Sequence, residues 1–331
     1  MSAASEPDVA GPPDLPGLPD VAGLPDVAGL PDVAGLPGVA GPPDLPGLPA
    51  VLDLVGVVGG GRMGVGIAHA FLLAGAHVII LERDTEAAER ARTALVTAAR
   101  RSVERGTTHE NESELLSRLD VTTEVTGLGA SALVIEAVPE DLDLKVSMLT
   151  KIEAVLADDA WLASNTSSLS IDLLAATLTR PERFCGLHFF NPVPSSTLVE
   201  IVTGSETSNA LTDAARGWVQ AIGKTPIVVK NSPGFASSRL GVVIALEAIR
   251  MLEDGVASAE DIDTAMVLGY KFPVGPLHLT DLVGLDVRLG IAEDLHGTLG
   301  ERFAPPALLR QKVAAGQLGR KTGEGFFTWS D

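Results

Sequence analysis

The sequence predicts an α/β protein in which a doubly wound sheet is followed by a smaller all-α domain. Two observations carry this prediction. Short apolar strands alternate with helices up to about residue 230, which is typical of a parallel sheet. Beyond that point the chain shows helix signals without further strands. The 331 residues suffice for two domains, and a turn-rich joint after residue 229 divides them into 51–230 and 231–331.

The first fifty residues differ in composition from the rest of the chain. The hexad Leu-Pro-Asp-Val-Ala-Gly repeats from Leu18 to Gly35, and residues 1–50 hold twelve prolines but no lysine or arginine. Proline at this density prevents both helices and sheet ladders. The repeat lacks the bulky apolar ladder of a β-helix, and the segment lacks the basic start and apolar core of a signal peptide. We therefore expect a disordered, acidic tail.

The charge and the cysteine content limit the partners and the compartment. A formal net charge of -19 without a basic patch argues against binding to nucleic acid. The single cysteine, Cys185, excludes an intrachain disulfide and fits a cytoplasmic protein. We expect Cys185 to be a small buried residue rather than a reactive thiol.

One stretch resembles a membrane span. Residues 63–81 contain no Asp, Glu, Lys or Arg and are long enough to cross a bilayer. Gly64, Gly66 and Gly75 interrupt this stretch and favour a helix followed by a strand. We therefore expect two buried elements and no membrane partner.

A glycine-rich loop follows the first predicted strand. Gly59, Gly61 and Gly64 match the pattern G-x-G-x-x-G, with Arg62 and Met63 inside it. In such a loop the first glycine allows a tight turn, the second lets backbone N–H groups approach a pyrophosphate, and the third lets helix and strand pack closely. Because a helix and a second strand follow, the segment predicts a Rossmann unit that binds a dinucleotide.

Glu82 directly follows the second predicted strand, residues 77–81. A carboxylate at this place accepts hydrogen bonds from the ribose hydroxyls of the cofactor and repels a 2'-phosphate. The sequence therefore favours NAD as the cofactor. Arg83 follows immediately, and an arginine there leaves NADP open as the less favoured alternative.

Polar residues follow two further predicted strands. Glu136, Glu140 and Lys145 come after one strand, and the hydroxyl-rich turn, which we define as residues 164–168, comes after the next. The carboxyl ends of parallel strands form the edge at which ligands bind. Two interpretations stay open: these residues contact a ligand, or they form a solvated turn and an ion pair on a helix surface. The hydroxyl-rich turn also suits the capping of the next helix.

His188 precedes two phenylalanines, and Glu200 follows twelve positions later. Apolar neighbours would give the ring a dry environment, and a carboxylate returning to it would fix its tautomer and raise its basicity. This is the arrangement that a proton-transferring catalyst needs. The alternative is a hydrogen-bonded histidine of the core.

The chain carries a series of short motifs, one after another. They are the glycine-rich loop, Glu-Ala-Val-Pro-Glu (136–140), Ser-Asn-Thr-Ser-Ser-Leu (164–169), Gly-Leu-His-Phe-Phe-Asn-Pro (186–192), Leu-Val-Glu (198–200), Ser-Pro-Gly-Phe (232–235), Asp-Ile-Asp (261–263) and Lys-Thr-Gly-Glu-Gly-Phe (321–326). In order and spacing the sequence resembles the 3-hydroxyacyl-CoA dehydrogenase family, and in particular its bacterial 3-hydroxybutyryl-CoA branch, over about residues 53–329. The resemblance implies NAD-dependent interconversion of an (S)-3-hydroxyacyl-CoA and a 3-ketoacyl-CoA.

The resemblance also implies roles for individual residues. His188 would be the catalytic base and Glu200 the carboxylate that orients it. Ser167 would hydrogen-bond the substrate oxygen and the nicotinamide region, and Asn191 would contact the nicotinamide side as well. Family positions near the cofactor are occupied by Glu140, Lys145 and Lys321.

The sequence departs from the family pattern at two places. The family often carries Asn in a segment Gly-Phe-x-x-Asn-Arg, and Ser238 stands there in this chain. A serine is shorter but still both donates and accepts, so we keep Ser238 as a substrate-binding residue. Residues 195–197 replace a bulkier, partly basic stretch and are expected to alter the mouth of the substrate site.

The resemblance leaves three interpretations of the function and also predicts an oligomeric state. The chain would act on an acyl-CoA, or it would oxidise a free hydroxy acid, as enzymes of the gulonate or carnitine type do. It would otherwise be a non-catalytic, crystallin-like relative, although the presence of His188, Glu200 and Ser167 argues against that. By the same resemblance the helical domain is expected to form a homodimer.

Overall fold

The structure, a computed structural model, describes residues 52–329. The tail expected over residues 1–50 lies outside the described residues. The first part of the described chain forms an eight-stranded sheet with helices on its faces, and the second part is helical. The strands are β1 (Leu54–Val58), β2 (His77–Leu81), β3 (Leu119–Thr122), β4 (Leu133–Glu136), β5 (Trp161–Ser164), β6 (Phe184–Phe189), β7 (Leu198–Thr203) and β8 (Thr225–Lys230).

The strand order in the sheet is β3-β2-β1-β4-β5-β6-β7-β8. Strands β1 to β6 are parallel, β7 runs antiparallel to β6, and β8 is parallel to β7. The order reverses between β1 and β4, and ligands of such sheets bind in the crevice at this reversal. The predicted Rossmann-type sheet is confirmed. The antiparallel return of β7 is an addition that the sequence did not predict.

Helices cover both faces of the sheet because each face buries its own apolar cluster. One cluster joins the sheet to the first, second and sixth helices through Phe71, Leu95 and Trp218. The other joins it to the fourth and fifth helices through Leu149 and Leu174. The helices are α1 (Arg62–Leu73), α2 (Thr85–Glu104), α3 (Glu112–Leu116), α4 (Leu142–Glu153), α5 (Ile171–Ala175) and α6 (Asn209–Ala221).

The helical domain has a separate core formed by residues such as Leu246, Ile249 and Leu277. Ser258 caps one of its helices by accepting from the N–H of Asp261 at 3.1 Å. The helices are α7 (Ser237–Glu253), α8 (Ala259–Thr264), α9 (Pro276–Val283), α10 (Leu285–Leu299) and α11 (Ala307–Ala314). The all-α character of this part is confirmed.

Two smaller expectations are also confirmed. Residues 63–81 form most of α1, a turn and β2, and within residues 52–329 no helix is long and apolar enough to cross a membrane. Cys185 lies on β6 with 0% exposure, and burial raises the pKa of its thiol to about 12. A thiol of this kind is inert at neutral pH.

Candidate active site

Three glycines of the loop after β1 lie where a side chain would not fit. Gly59 has φ +93°, which favours glycine, and a Cβ there would lie 2.9 Å from the carbonyl oxygen of Ala137. A Cβ at Gly60 would overlap that of Ala91, and a Cβ at Gly64 would overlap the carbonyl oxygen of Gly59. The absence of side chains at these positions lets α1 begin directly behind β1.

Gly61 lies in open space instead. A Cβ there would meet nothing within 4 Å. Gly61 is the N-cap of α1, no side chain of the described chain caps this end, and the first turn carries no acidic residue. Free N–H groups and the positive end of a helix dipole bind phosphate. The loop therefore fits the pyrophosphate of a dinucleotide, and Arg62 and Met63 provide the first N–H groups of the helix.

Glu82, at the end of β2, bonds the glycine loop. Its Oε1 accepts from the N–H of Gly60 at 2.6 Å and its Oε2 from the N–H of Arg83 at 3.0 Å. A carboxylate has further lone pairs, so Glu82 can also accept from ribose hydroxyls. The side chain of Arg83 points to solvent and pairs with Asp84 at 3.0 Å. A 2'-phosphate would thus face the carboxylate of Glu82, which agrees with NAD as the cofactor.

A buried ion-pair network joins the end of β4 to α4. Lys145 is 1% exposed and Glu136 is 0% exposed. The Lys145 Nζ donates to Glu136 Oε1 at 2.7 Å and to the carbonyl oxygen of Val138 at 3.1 Å, and it lies 3.3 Å from Glu140 Oε2. The interpretation of these residues as a solvated turn with a surface ion pair is therefore wrong. The network fixes the loop that follows β4.

Glu140 organises the hydroxyl-rich turn. Its Oε1 accepts from Thr166 Oγ1 at 2.6 Å and from the N–H groups of Ser167 and Ser168, both at 2.9 Å. Burial acts to raise the pKa of Glu140, but the charge of Lys145 and the bonds from the turn outweigh it and hold the pKa below its ordinary value. Among residues 52–329 the Ser167 hydroxyl has no hydrogen-bond partner, so the backbone of Ser167 is held while its side chain is free for a ligand.

His188 and Glu200 face each other across the antiparallel pair β6–β7. They are partners in the strand register, and His188 Nδ1 lies 2.7 Å from Glu200 Oε2. His188 is 6% exposed and Glu200 is 0% exposed. The rings of Phe190 and Phe235 pack on the imidazole with centroid distances of 4.5 Å and 5.6 Å. Because the carboxylate engages Nδ1, Nε2 is the ring nitrogen left for a substrate.

The N-terminus of α7 holds the Glu200 carboxylate. Oε1 accepts from the N–H groups of Ala236 and Ser237 at 3.1 Å and 2.9 Å, and the Ser237 hydroxyl donates to Oε2 at 2.8 Å. Burial acts to raise the pKa of Glu200, but the bonds from His188 and Ser237 outweigh it and keep the pKa below its ordinary value. The carboxylate stays charged and can stabilise an imidazolium on His188.

The remaining predicted site residues fall into two groups. Asn191 follows His188 by three residues, just after the end of β6, and Ser238 lies in the first turn of α7 beside Ser237, which bonds Glu200. Lys321 lies in a short 3₁₀ turn of the helical domain, where its Nζ donates to Asp286 Oδ2 at 2.6 Å. The contacts of Lys321 within the described chain stay inside the helical domain.

Three residues that support the site were not predicted from the sequence. Asn165 Oδ1 accepts from the N–H of Phe189 at 2.9 Å and ties the hydroxyl-rich turn to the end of β6. Ser237 bonds Glu200, as described. Lys224 is 8% exposed, burial lowers its pKa to about 8, and it donates to the carbonyl oxygens of Val193 and Ser196. Asn165 lies in a recognised motif, whereas nothing local distinguishes the other two.

A glycine loop that fits a dinucleotide follows β1, and a buried His–carboxylate pair lies toward the carboxyl end of β6, so both are at the same edge of the parallel strands. This combination is typical of dehydrogenases, which move a hydride and a proton. The chain belongs to the 3-hydroxyacyl-CoA dehydrogenase family. Residues 54–232 match the family model of the NAD binding domain, and residues 234–329 match that of the C-terminal domain. The resemblance seen in the sequence is confirmed, and the protein is an NAD-dependent oxidoreductase.

Named relatives extend over most of the chain. A 3-hydroxybutyryl-CoA dehydrogenase of Mycobacterium tuberculosis is 42% identical over 282 residues, which are 84% of this chain and 99% of the relative. A mitochondrial hydroxyacyl-coenzyme A dehydrogenase of Rattus norvegicus is 37% identical over 83% of this chain and 90% of the relative. Among solved structures, an (S)-3-hydroxybutyryl-CoA dehydrogenase of Ralstonia eutropha is 40% identical with a TM-score of 0.80, over 85% of this chain and 100% of that one.

Proposed function

We propose that the protein interconverts short-chain (S)-3-hydroxyacyl-CoA and 3-ketoacyl-CoA, with 3-hydroxybutyryl-CoA and acetoacetyl-CoA as the reference pair. The observation that carries this proposal is the buried His188–Glu200 pair, 2.7 Å apart, in a chain that belongs to this family. The relatives named for 3-hydroxybutyryl-CoA support the choice of substrate.

His188 is the general base in the proposed oxidation. The substrate hydroxyl gives its proton to Nε2, because Nδ1 is already bonded to Glu200. The glycine loop and Glu82 would hold NAD, which would supply the acceptor for the hydride of the same carbon. The charged Glu200 stabilises the imidazolium that forms, and Ser237 holds Glu200 in place. In the reverse direction the imidazolium of His188 protonates the developing alkoxide.

The hydroxyl groups of Ser167 and Ser238 are proposed to orient the substrate. Ser167 offers a free hydroxyl from a backbone that Glu140 anchors at 2.9 Å. Ser238 offers a second one from the first turn of α7, beside the residue that bonds Glu200. We propose that Ser167 bonds the substrate oxygen and that Ser238 takes the place of the Asn that the family often carries.

We propose that some cofactor residues contact NAD directly and that others hold the loops around it. Direct contacts to NAD come from the glycine loop through Gly59, Gly61, Arg62, Met63 and Gly64, from Glu82 at the ribose, and from Asn191 at the nicotinamide side. Glu140 and Lys145 act by holding the loops that line the crevice, since both are engaged in bonds within the protein. Lys321 would contact NAD through an N–H that its bond to Asp286 leaves free.

We also propose that the helical part, residues 231–331, forms a homodimer, while residues 51–230 bind NAD. Leu240, Val256, Leu268 and Tyr270, all in the helical part, are 60% to 75% exposed, and a contact between two helical domains would cover apolar side chains of this kind. Sedimentation at micromolar concentration tests this proposal, and a monomer would contradict it.

We further propose that the enzyme is cytoplasmic. The single, buried Cys185 supports this proposal.

The decisive experiment follows the absorbance of NADH during the reduction of acetoacetyl-CoA by the full chain. We expect turnover with acetoacetyl-CoA and a lower kcat/KM when NADPH replaces NADH. Longer 3-ketoacyl-CoAs define the chain-length preference. Oxidation of free 3-hydroxybutyrate with NAD, without turnover of any CoA thioester, would move the protein to the free hydroxy acid enzymes. An absence of cofactor oxidation with every substrate would refute an enzymatic role.

A further inference from the structure

A cavity of about 520 Å³ lies between the C-terminal halves of α1 and α2, the loop after β6 and the end of α6. Apolar side chains such as Leu73 and Pro194 form part of its walls, and Arg101, Arg105 and Lys224 also line it. No Asp or Glu is among the described residues that line this cavity. We call it the basic cavity.

The three cations of the basic cavity lack a carboxylate partner in the part of the chain that the structure describes. Lys224 is 8% exposed, and its ammonium donates to the carbonyl oxygens of Val193 and Ser196. An ammonium has three N–H donors, so one of them is left for a further acceptor. Arg101 and Arg105 are exposed and form no salt bridge with a described residue. Cations that are partly removed from water without a counter-charge favour an anionic ligand.

The rest of the protein carries an excess of acidic residues, which makes the basic cavity distinctive. Seven of the nineteen net negative charges belong to residues 1–50, so residues 51–331 carry a formal net charge of -12. A field of this sign repels an anionic segment on average. The basic cavity therefore offers such a segment a local attraction that the net charge opposes elsewhere.

The chemistry of the acidic tail, residues 1–50, complements the basic cavity. The tail contains no Lys or Arg, and six of its seven acidic residues lie in a unit of Pro-Asp followed by Val or Leu, which we call the Pro-Asp unit. The six acidic residues of these units are Asp8, Asp14, Asp20, Asp26, Asp32 and Asp44. Arginine binds a carboxylate with two parallel hydrogen bonds, and apolar walls accept apolar neighbours. Each unit therefore carries both groups that the cavity would bind.

The tail joins the described chain at the end of the sheet where the basic cavity lies. The carbonyl oxygen of Asp53 accepts from the N–H of His77 at 2.9 Å, at the start of β2. Ala74, which follows α1 and lines the cavity, precedes His77 by three residues, so the two lie within about 11 Å of each other. A chain spans up to about 3.3 Å per residue, so even the nearest unit, at Asp44, can extend about 26 Å from residue 52. The length of the tail therefore allows every unit to reach the cavity.

We propose that the Pro-Asp units of the tail dock in the basic cavity, with a carboxylate at Arg101, Arg105 and Lys224. Six units share one cavity, and the tether keeps the undocked units at a high local concentration. A docked unit would lie against the loop of residues 192–195, beside the mouth of the substrate site that the resemblance predicts at residues 195–197. The family match begins at residue 54 and does not account for the tail. The inference goes beyond the proposed function and is tested without substrate.

The test places a photoreactive group on the tail of the full-length protein. Ala28→Cys introduces a thiol two residues after Asp26, and benzophenone maleimide labels it selectively because the other cysteine, Cys185, is 0% exposed. After irradiation, mass spectrometry locates the cross-links, which we expect in residues 98–107 and 192–195. Their yield should fall about 5-fold in about 0.5 M sodium chloride, because salt screens the attraction. Cross-links spread evenly over the protein, or concentrated elsewhere, would overturn the proposal.

Substitutions in the labelled protein identify the charges responsible. Arg101→Gln/Arg105→Gln should lower the yield of cross-links at the basic cavity about 5- to 30-fold, the scale of two partly exposed ion pairs. Arg90→Gln/Arg100→Gln is the matched control, since both of these arginines also lie on α2 but are paired with glutamates. The control should keep the yield of the parent protein. Equal yields in the two double variants would refute the assignment to Arg101 and Arg105.

A neutral tail separates recognition of charge from apolar contact. Replacement of the six Asp residues of the Pro-Asp units with Asn leaves residues 52–329 unchanged in sequence, so the folded part of the protein is preserved. The yield of cross-links at the basic cavity should fall about 5-fold or more, because an amide cannot replace a carboxylate at a guanidinium. An unchanged yield would show that apolar contact alone holds the tail, and the proposal would fail.

Discussion

Glu200 stands directly across from His188 in the antiparallel register of β6 and β7, and its carboxylate lies 2.7 Å from the imidazole Nδ1. The same carboxylate accepts three hydrogen bonds from the start of α7. One buried acid therefore joins His188 of the sheet to the first helix of the other domain. The orientation of the histidine depends on how the two domains meet.

The His188→Gln variant tests the proposed base. Glutamine keeps approximate size and polarity but cannot take a proton at neutral pH, so kcat should fall by about 10²- to 10⁴-fold. The dissociation constant of NAD should not change. His278→Gln is a suitable control because His278 is also paired with an acid, at 2.9 Å from Asp263, but lies on α9. It should keep most of the activity, and wild-type turnover by His188→Gln would exclude His188 as the base.

Ser237 is predicted to position Glu200 rather than to touch the substrate. Ser237→Ala removes the hydroxyl that donates to Oε2 at 2.8 Å, so we expect kcat to fall about 3- to 10-fold with little change in KM. The pH profile of kcat should shift as well, because the loss of this donor raises the pKa of Glu200, the partner of the proposed base. Ser237→Thr should restore both properties. A pH profile that does not change would reduce Ser237 to a structural role.

The glycine loop, the hydroxyl-rich turn and His188 could be predicted because each is a local pattern at the end of a strand. The role of Ser237 could not, since it depends on a distant helix packing against β7. The burial of Lys145 was missed for the same reason, because a charged residue near a strand end gives no local sign of being enclosed. Helix α10 lacks a local pattern of this kind: Gly290 and Gly297 interrupt its apolar residues, and no side chain caps its first turn.

Acid pH should weaken the fold partly through Glu200. The pKa of Glu200 is lower in the folded protein than in the unfolded chain, so its contribution is complete above about pH 4.3 and is lost as the pH falls through the folded value. Urea unfolding at pH 7 and at pH 3.5 measures this loss. Glu200→Gln should be less stable than wild type at pH 7 but should lose less stability between the two pH values. Identical losses would show that Glu200 does not contribute.

Lys145 is predicted to be needed for stability more than for direct contact with NAD. Lys145→Met leaves Glu136 buried without its cation, which should lower the free energy of unfolding by about 3–5 kcal/mol in urea titrations. The double variant Lys145→Met/Glu136→Leu should recover part of this loss, because it removes the uncompensated charge. Full stability of Lys145→Met with a raised dissociation constant for NAD would instead assign Lys145 to the cofactor.

Alanine substitutions at two glycines of the same loop should impair different properties, NAD binding at Gly61 and stability at Gly64. A Cβ at Gly61 meets nothing of the protein within 4 Å, whereas a Cβ at Gly64 overlaps the carbonyl oxygen of Gly59. Gly61→Ala should therefore keep the wild-type Tm and raise the dissociation constant of NAD, because the methyl group enters the space proposed for the pyrophosphate. Gly64→Ala should lower the Tm, because α1 must move away from β1. Thermal unfolding and NAD titration of both variants check this, and unchanged NAD binding by a folded Gly61→Ala would place the pyrophosphate elsewhere.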